Sequence, residues 1–214
     1  MPSPPSRFHL RPGVLRRTRT IEEARRQIRA ACDTLARIPP GLLERLAEMV
    51  ERAAAAVARG RKILLFGNGG SAADAQHIAG ELVHRLKRRR RALPAMALTG
   101  NLPAITAIAN DDSFADIFAR QLEAWAEPGD IVIGISTSGR SENVLRGLRR
   151  ARARGAFTIG WTGEKGSRLG RSADLLLEFP ARDTQRIQEA YLVVAHIFCD
   201  LLEERVVGWR RAQR

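Results

Sequence analysis

Cysteine, lysine and aromatic residues are all scarce in this sequence. The two cysteines, Cys32 and Cys199, stand far apart in apolar helical patterns. That spacing excludes a disulfide framework and a cysteine metal knuckle, and both side chains read as buried thiols of a reducing cytoplasm. Aromatics are only 5% of the chain, so a platform for stacked nucleic-acid bases is missing. No apolar run approaches the roughly 18 residues a membrane span requires. The opening stretch MPSPPSRFHLRPGVLRRTRT has no hydrophobic centre and so does not read as a secretory signal. Pro2, Pro4, Pro5 and Pro12 interrupt any helix there. Residues 1–20 are therefore expected to be a disordered basic tail, and not an organellar transit peptide.

Lysine occurs three times, as Lys62, Lys87 and Lys165, so the net charge of +13 is almost wholly arginine. The arginines cluster in the tail, in RLKRRRR (85–91), in RGLRRARARG (146–155) and in the basic end at 207–214. Nucleic-acid binding is the sharp reading of such charge. Without aromatics or a recognition-helix motif, solvated helix faces are the better one. A basic surface would also draw in a phosphorylated small molecule.

The 214 residues fit a single domain, expected over 21–206. Ile21, Ala24, Ile28, Cys32, Leu35 and Ile38 recur at helical spacing, and Pro39-Pro40 ends that helix. A second helix covers 41–60 and a long amphipathic one covers 183–206. Between them lie five apolar runs: KILLFG (62–67), PAMALTG (94–100), DIVIGIS (130–136), FTIGWTG (157–163) and DLLLEFP (174–180). They are continuously apolar, as parallel strands covered on both faces should be. The expected fold is α/β, a three-layer, doubly wound, five-stranded parallel sheet in the flavodoxin-like order 2-1-3-4-5. In that order ligands bind where the connections part, beyond strands 1 and 3.

Both of those strands empty into small polar turns. The first leads into GNGGSAADAQHIAGEL, which lacks both the G-x-G-x-x-G spacing and the Gly-Lys-Ser/Thr of a P-loop. Ser71 is placed to cap the following helix, with Asp74 three residues on. His77 and Glu81 then share one helix face, with His84 incidental on it. The second turn, STSGRS, offers Ser136, Thr137, Ser138 and Ser141 around Gly139 just before a helix, a suitable seat for a phosphate. Each feature also has a plain structural reading, as a cap or a solvated pair. On the last helix Gln188 and His196 stand eight residues apart, about 12 Å along the axis. A single chain joins them only with difficulty, and His196 amid aliphatic neighbours could be a core residue.

With these segments in hand, and with AIANDDSFADIF (107–118) and RIQEAYLVVAH (186–196), the chain resembles the sugar isomerase (SIS) domain family, and within it the phosphoheptose isomerases. The likeness covers about residues 21–206. It implies a cytoplasmic homotetramer that isomerises sedoheptulose 7-phosphate to D-glycero-D-manno-heptose 7-phosphate, an opening step toward ADP-heptose and lipopolysaccharide core precursors. The substrate-contacting residues it implies are Asn68, Gly69, Gly70, Ser71, Glu81, Asn110, Asp111 and Gln188, with Ser136, Thr137, Ser138 and Ser141 on the phosphate. It implies one zinc per subunit on His77, Glu81, Gln188 and His196, with Glu81 as base and His196 as acid. A zinc-bound carboxylate loses basicity, so the metal either polarises substrate while Glu81 swings free or is structural.

The alternative is a non-enzymatic SIS protein that binds the replication initiator or senses a sugar phosphate. That branch lacks the glutamate and the final histidine, and this chain has both. Tyr191 and Gln185 depart from the isomerase pattern, where histidine and an acidic residue are common. They bear on substrate preference and rate.

Overall fold

In the computed structural model of the chain, which describes residues 17–164 and 167–212, two helices precede the sheet, α1 (Arg17–Ala36) and α2 (Pro40–Ala58). Pro40 occupies the first turn of α2, where a missing N–H costs nothing, and Gly60 ends the segment with φ 76°. Then follow β1 (Ile63–Gly67), α3 (Gly70–Val83), β2 (Ala95–Ala97), α4 (Leu102–Asp111), a 3₁₀ turn (Phe114–Asp116) and α5 (Ile117–Trp125). The chain continues through β3 (Ile131–Ile135), α6 (Glu142–Ala153), β4 (Phe157–Gly163), α7 (Ser167–Ser172), β5 (Leu175–Phe179) and α8 (Thr184–Ala212).

The five strands are parallel in the order β2-β1-β3-β4-β5, as the chain order of apolar runs predicts. Alternate residues of one strand enter different layers. Ile63 and Leu65 pack with α2, α3 and α8, while Leu64 and Phe66 pack with α5 and α6. That two-sided burial is why the strands read as unbroken apolar runs. β2 is shorter than its run, because it lies at the sheet edge and turns away at Thr99–Gly100 after Leu98 donates to Leu65 O.

Polar locks close the other end of the strands. The fully buried Asp130 carboxylate accepts the Lys62 and Glu127 N–H groups at 3.0 and 2.8 Å and pairs with Lys62 Nζ at 2.9 Å. Asp174 accepts the Thr158 N–H and hydroxyl at 2.8 and 2.7 Å, joining β5 to β4. Burial pushes the Asp174 carboxyl up, but the Thr158 bonds and Arg152 outweigh it and leave the group below its usual range.

Three boundary expectations change. α1 starts at Arg17, inside the predicted tail, while residues 1–16 lie outside the described residues. The basic segment 207–212 continues α8, its arginines being good helix formers. Cys32 is exposed and not buried, because it faces away from the partners of α1; Cys199 is buried as expected.

Candidate active site

Gly67 is where β1 can end and α3 can begin. A Cβ there would lie 2.8 Å from Ser71 Cβ and 2.9 Å from Ile135 O, so only glycine admits the approach. Gly69 then takes φ 54° as the N-cap residue of α3, with no side-chain cap. This corrects the capping role predicted for Ser71. Its side chain is turned into the core against Gly67, and its N–H donates to Asn68 O at 3.0 Å.

Across the crevice, the turn after β3 is pinned to β4 by Ser136 N–H to Trp161 O, 2.9 Å, and Gly163 N–H to Thr137 O, 3.1 Å. Ser141 sits at the N-cap of α6, yet its hydroxyl does not cap the helix; it meets Ser136 Oγ at 3.0 Å. Ser138 Oγ lies 3.5 Å from Ser136 Oγ and accepts the Arg140 N–H. Three hydroxyls thus converge at a helix N-terminus, the arrangement an anion requires. Glu142, in the first turn of α6, is held by Arg146, Arg149 and Arg168, so its charge is offset by three cations.

The two turns are tied together by a residue that spacing alone does not single out. The side-chain amides of Asn68 and Asn143 exchange two hydrogen bonds, 2.9 and 2.8 Å, across 75 positions of sequence. Asn143 is buried in α6, and its Oδ1 also accepts the Val144 N–H at 2.9 Å. The only sequence signal for it is an amide in the first turn of the helix after STSGRS.

The third wall is the seam of α3 and α8. Gly70 lies under Gln188, whose Nε2 is 2.3 Å from where a Cβ would stand. Further along, His77 Nε2 meets His196 Nε2 at 2.8 Å, the rings T-shaped with centroids 5.0 Å apart. The contacts advance along both helices in the same direction, so the helices run parallel here. Glu81 Oε1 is 3.9 Å from His77 Nε2. Beyond it lies Cys199, whose thiol is pushed up to about 12, by burial first and by the Glu81 charge second.

The seam therefore joins His77, Glu81 and His196 but leaves Gln188 about 12 Å from His196, at the Gly70 end. Asn110 and Asp111, exposed at the end of α4, hydrogen bond to each other at 2.7 Å, and no hydrogen bond joins them to either turn among the described residues. Tyr191 is fully buried against Trp161 and Phe179. Among the described residues its hydroxyl has no hydrogen-bond partner, and burial together with Asp74 raises it well above the usual tyrosine range. Asp74 itself is half-buried, one oxygen unpartnered, and burial raises its carboxyl despite His77.

As a metal site the donor chemistry fits in part. The two imidazole Nε2 atoms share a hydrogen bond at 2.8 Å, and a tetrahedral zinc at its usual ~2.0–2.1 Å from each would need them to open to about 3.3 Å. No group of three or more His, Cys, Asp or Glu side chains closes into a metal cluster among the described residues. A cavity of about 630 Å³ lies elsewhere, between α2 and the end of α8, and contains none of these residues.

Part of each arginine run, 85–91 and 146–155, is paired within the fold. Lys87 and Arg88 pair with Asp200, Arg90 with Glu203, and Arg152 with Asp174.

Residues 18–163 match the SIS domain family model. The chain is 48% identical over 191 residues to the phosphoheptose isomerase of Geotalea daltonii, covering 89% of this chain and 100% of that protein. It is 54% identical to that of Aquifex aeolicus over 72% of this chain and 80% of the relative. The phosphoheptose isomerase structure from Francisella tularensis superposes with a TM-score of 0.79 at 31% identity, covering 89% of this chain and 100% of that one. The one from Neisseria gonorrhoeae gives 0.77 at 35%, covering 88% and 98%.

Proposed function

The chain belongs to the SIS domain family, among its phosphoheptose isomerases, and from that premise we propose that it isomerises sedoheptulose 7-phosphate to D-glycero-D-manno-heptose 7-phosphate through an enediol. The observation that carries the reading is the parallel α3–α8 seam, which sets a carboxylate and two imidazoles side by side. Aldose–ketose isomerisation moves a proton between C1 and C2. It needs a base for that proton and a partner for the oxygen that gains charge. Glu81 takes the C1 proton and His196 serves the oxygen. The hydroxyls of Ser136, Ser138 and Ser141 hold the phosphate and so fix the carbon chain against the base. The Asn68–Asn143 amide pair keeps the two turns at a constant separation.

Within one chain His77, Glu81 and His196 would hold zinc, while Gln188 stays at the Gly70 end of the seam. When bound, the ion would polarise the substrate oxygens. The test of the reading is incubation with sedoheptulose 7-phosphate, with and without added zinc, followed by identification of the product. Absence of aldose product in both would overturn it.

Removing one hydroxyl in a Ser141→Ala variant should raise KM about 10–100-fold. A hydrogen bond to a charged group is worth roughly 1.5–3 kcal/mol, and about 1.4 kcal/mol is tenfold. Initial-rate kinetics check this; an unchanged KM would move the phosphate elsewhere.

The reading includes self-association as a homotetramer. Leu192, Val193, Ile197 and Leu201 form an exposed apolar stripe on α8 beside His196, and Ile21 and Ile28 are exposed on α1. Such a stripe next to a half-open site fits burial by further copies of this chain. Those copies would also supply groups that Gln188, Asn110 and Asp111 cannot bring together alone. Ile197→Glu should lower the mass measured by light scattering to that of smaller species and lower activity with it. A wild-type mass of one chain with full activity would refute the assembly.

A further inference from the structure

At the end of α3 the His84 N–H donates to Gly80 O at 2.9 Å and the Leu93 N–H donates to Leu82 O at 3.1 Å. His84, the C-cap residue, has φ −87° and ψ −87° and so is not a left-handed cap. Further donors come from farther along the chain. Arg90 Nη2 donates to Glu81 O at 2.9 Å, and Nη1 donates to Leu82 O at 2.8 Å and His84 O at 3.4 Å. The same guanidinium pairs with Glu203 Oε1 at 3.0 Å, the Arg90 side chain being 2% exposed and that of Glu203 0%.

Glu203 is also wrapped by the segment that follows α3. Its carboxylate accepts the backbone N–H groups of Leu86, Lys87 and Arg88 at 2.7, 2.9 and 2.8 Å. Next to it, Lys87 and Arg88 hold Asp200. Glu203 stands about two helical turns past His196 on α8, on the same side of that helix. One carboxylate therefore anchors the 86–88 strap to α8, and one guanidinium carries the anchor back to the carbonyl of Glu81 itself.

We infer that Arg90, locked to Glu203, is a positioning residue for the isomerase: it fixes the end of α3 that bears Glu81 in register with the α8 helix that bears His196. The inference rests on the reading of Glu81 as the base. The basic run 85–91 thereby has a role other than surface charge. Only a planar fork reaches the ion pair and the helix carbonyls at once; an ammonium satisfies one or the other. A displacement of about 1 Å at a reacting group costs on the order of 10²-fold in rate. The phosphate turn hangs from β3 and α6, away from this clamp, so substrate affinity should not follow.

The test compares wild type, Arg90→Lys and a control, Leu148→Ala, in the opposite core layer. The readouts are kcat and KM for sedoheptulose 7-phosphate, the thermal midpoint, and amide hydrogen exchange over 81–84. Arg90→Lys is expected to lose at least about tenfold in kcat with KM within about twofold, and to exchange faster at the end of α3. The control, with an equal or larger drop in midpoint, should keep its kcat. An Arg90→Lys kcat within twofold of wild type, or a loss matched by the control, overturns the inference while leaving the isomerase reading intact. A wild type with no turnover overturns both. Should Arg90→Lys fail to fold, Glu203→Gln is judged by the same criteria, since it removes the charge that pairs with the guanidinium and one of the two oxygens that accept the strap.

Discussion

Glu81→Gln is expected to lower kcat for sedoheptulose 7-phosphate by about 10²–10⁴-fold with little change in KM. The substitution is nearly isosteric, but an amide cannot accept the C1 proton. Little else depends on the charge. The side chain is 24% exposed, and its ion-pair contact to His77 is long at 3.9 Å. The fold and the phosphate turn should therefore survive, and affinity with them. Two measurements check this: steady-state kinetics, and wash-in of solvent deuterium at C1, which should vanish with turnover. A variant that retains a tenth or more of the wild-type rate would remove Glu81 from the role of base.

Glu203→Ala should cost about 3–5 kcal/mol, the usual cost of leaving one member of a buried ion pair alone. Arg90 would keep its charge at 2% exposure, and three N–H groups would lose their acceptor. Folded domains hold only about 5–15 kcal/mol in total. For a chain of this size the midpoint should drop by about 6–20 °C, measurable by calorimetry. The acid side gives a second signature. Burial pushes the Glu203 carboxyl up, but the N–H groups of Arg88, Lys87 and Leu86, with Arg90, outweigh it and leave it below 4.5. A carboxyl lowered by folding contributes fully above its unfolded value and loses that contribution as pH falls through the folded one. Wild type should therefore shed more stability than Glu203→Gln on acidification below about 4.5. Equal acid profiles would mean that the charge contributes nothing to the fold.

What could be read from the sequence followed the range of the interaction. The strands were legible because burial on both faces leaves an unbroken apolar run, as in Ile131–Ile135. His77 and Glu81 were legible as one face because helical spacing is local. The pairing of His77 with His196 spans 119 positions and depends on how α3 and α8 lie together. Spacing within α8 could raise His196 as a candidate but not find its partner. Asn143 and Arg90 were illegible for the same reason, since each acts through a residue far along the chain. Glu203 reads as a solvated helix glutamate until the 86–88 strap closes over it. Ser71 was misread because Gly69, with positive φ, starts the helix first and turns the hydroxyl inward. Cys32 was misread because an apolar helical pattern does not say whether its partner is in the same chain.

The carboxylates of Asp130 and Asp174 staple the margin of the sheet opposite the crevice. Strands of about five residues put them roughly 17 Å from the ligand turns. Tailoring selectivity and raising heat tolerance therefore draw on separate sets of positions. An engineer could rewrite the ligand turns without loosening the staples, and could reinforce the staples without altering what the enzyme accepts.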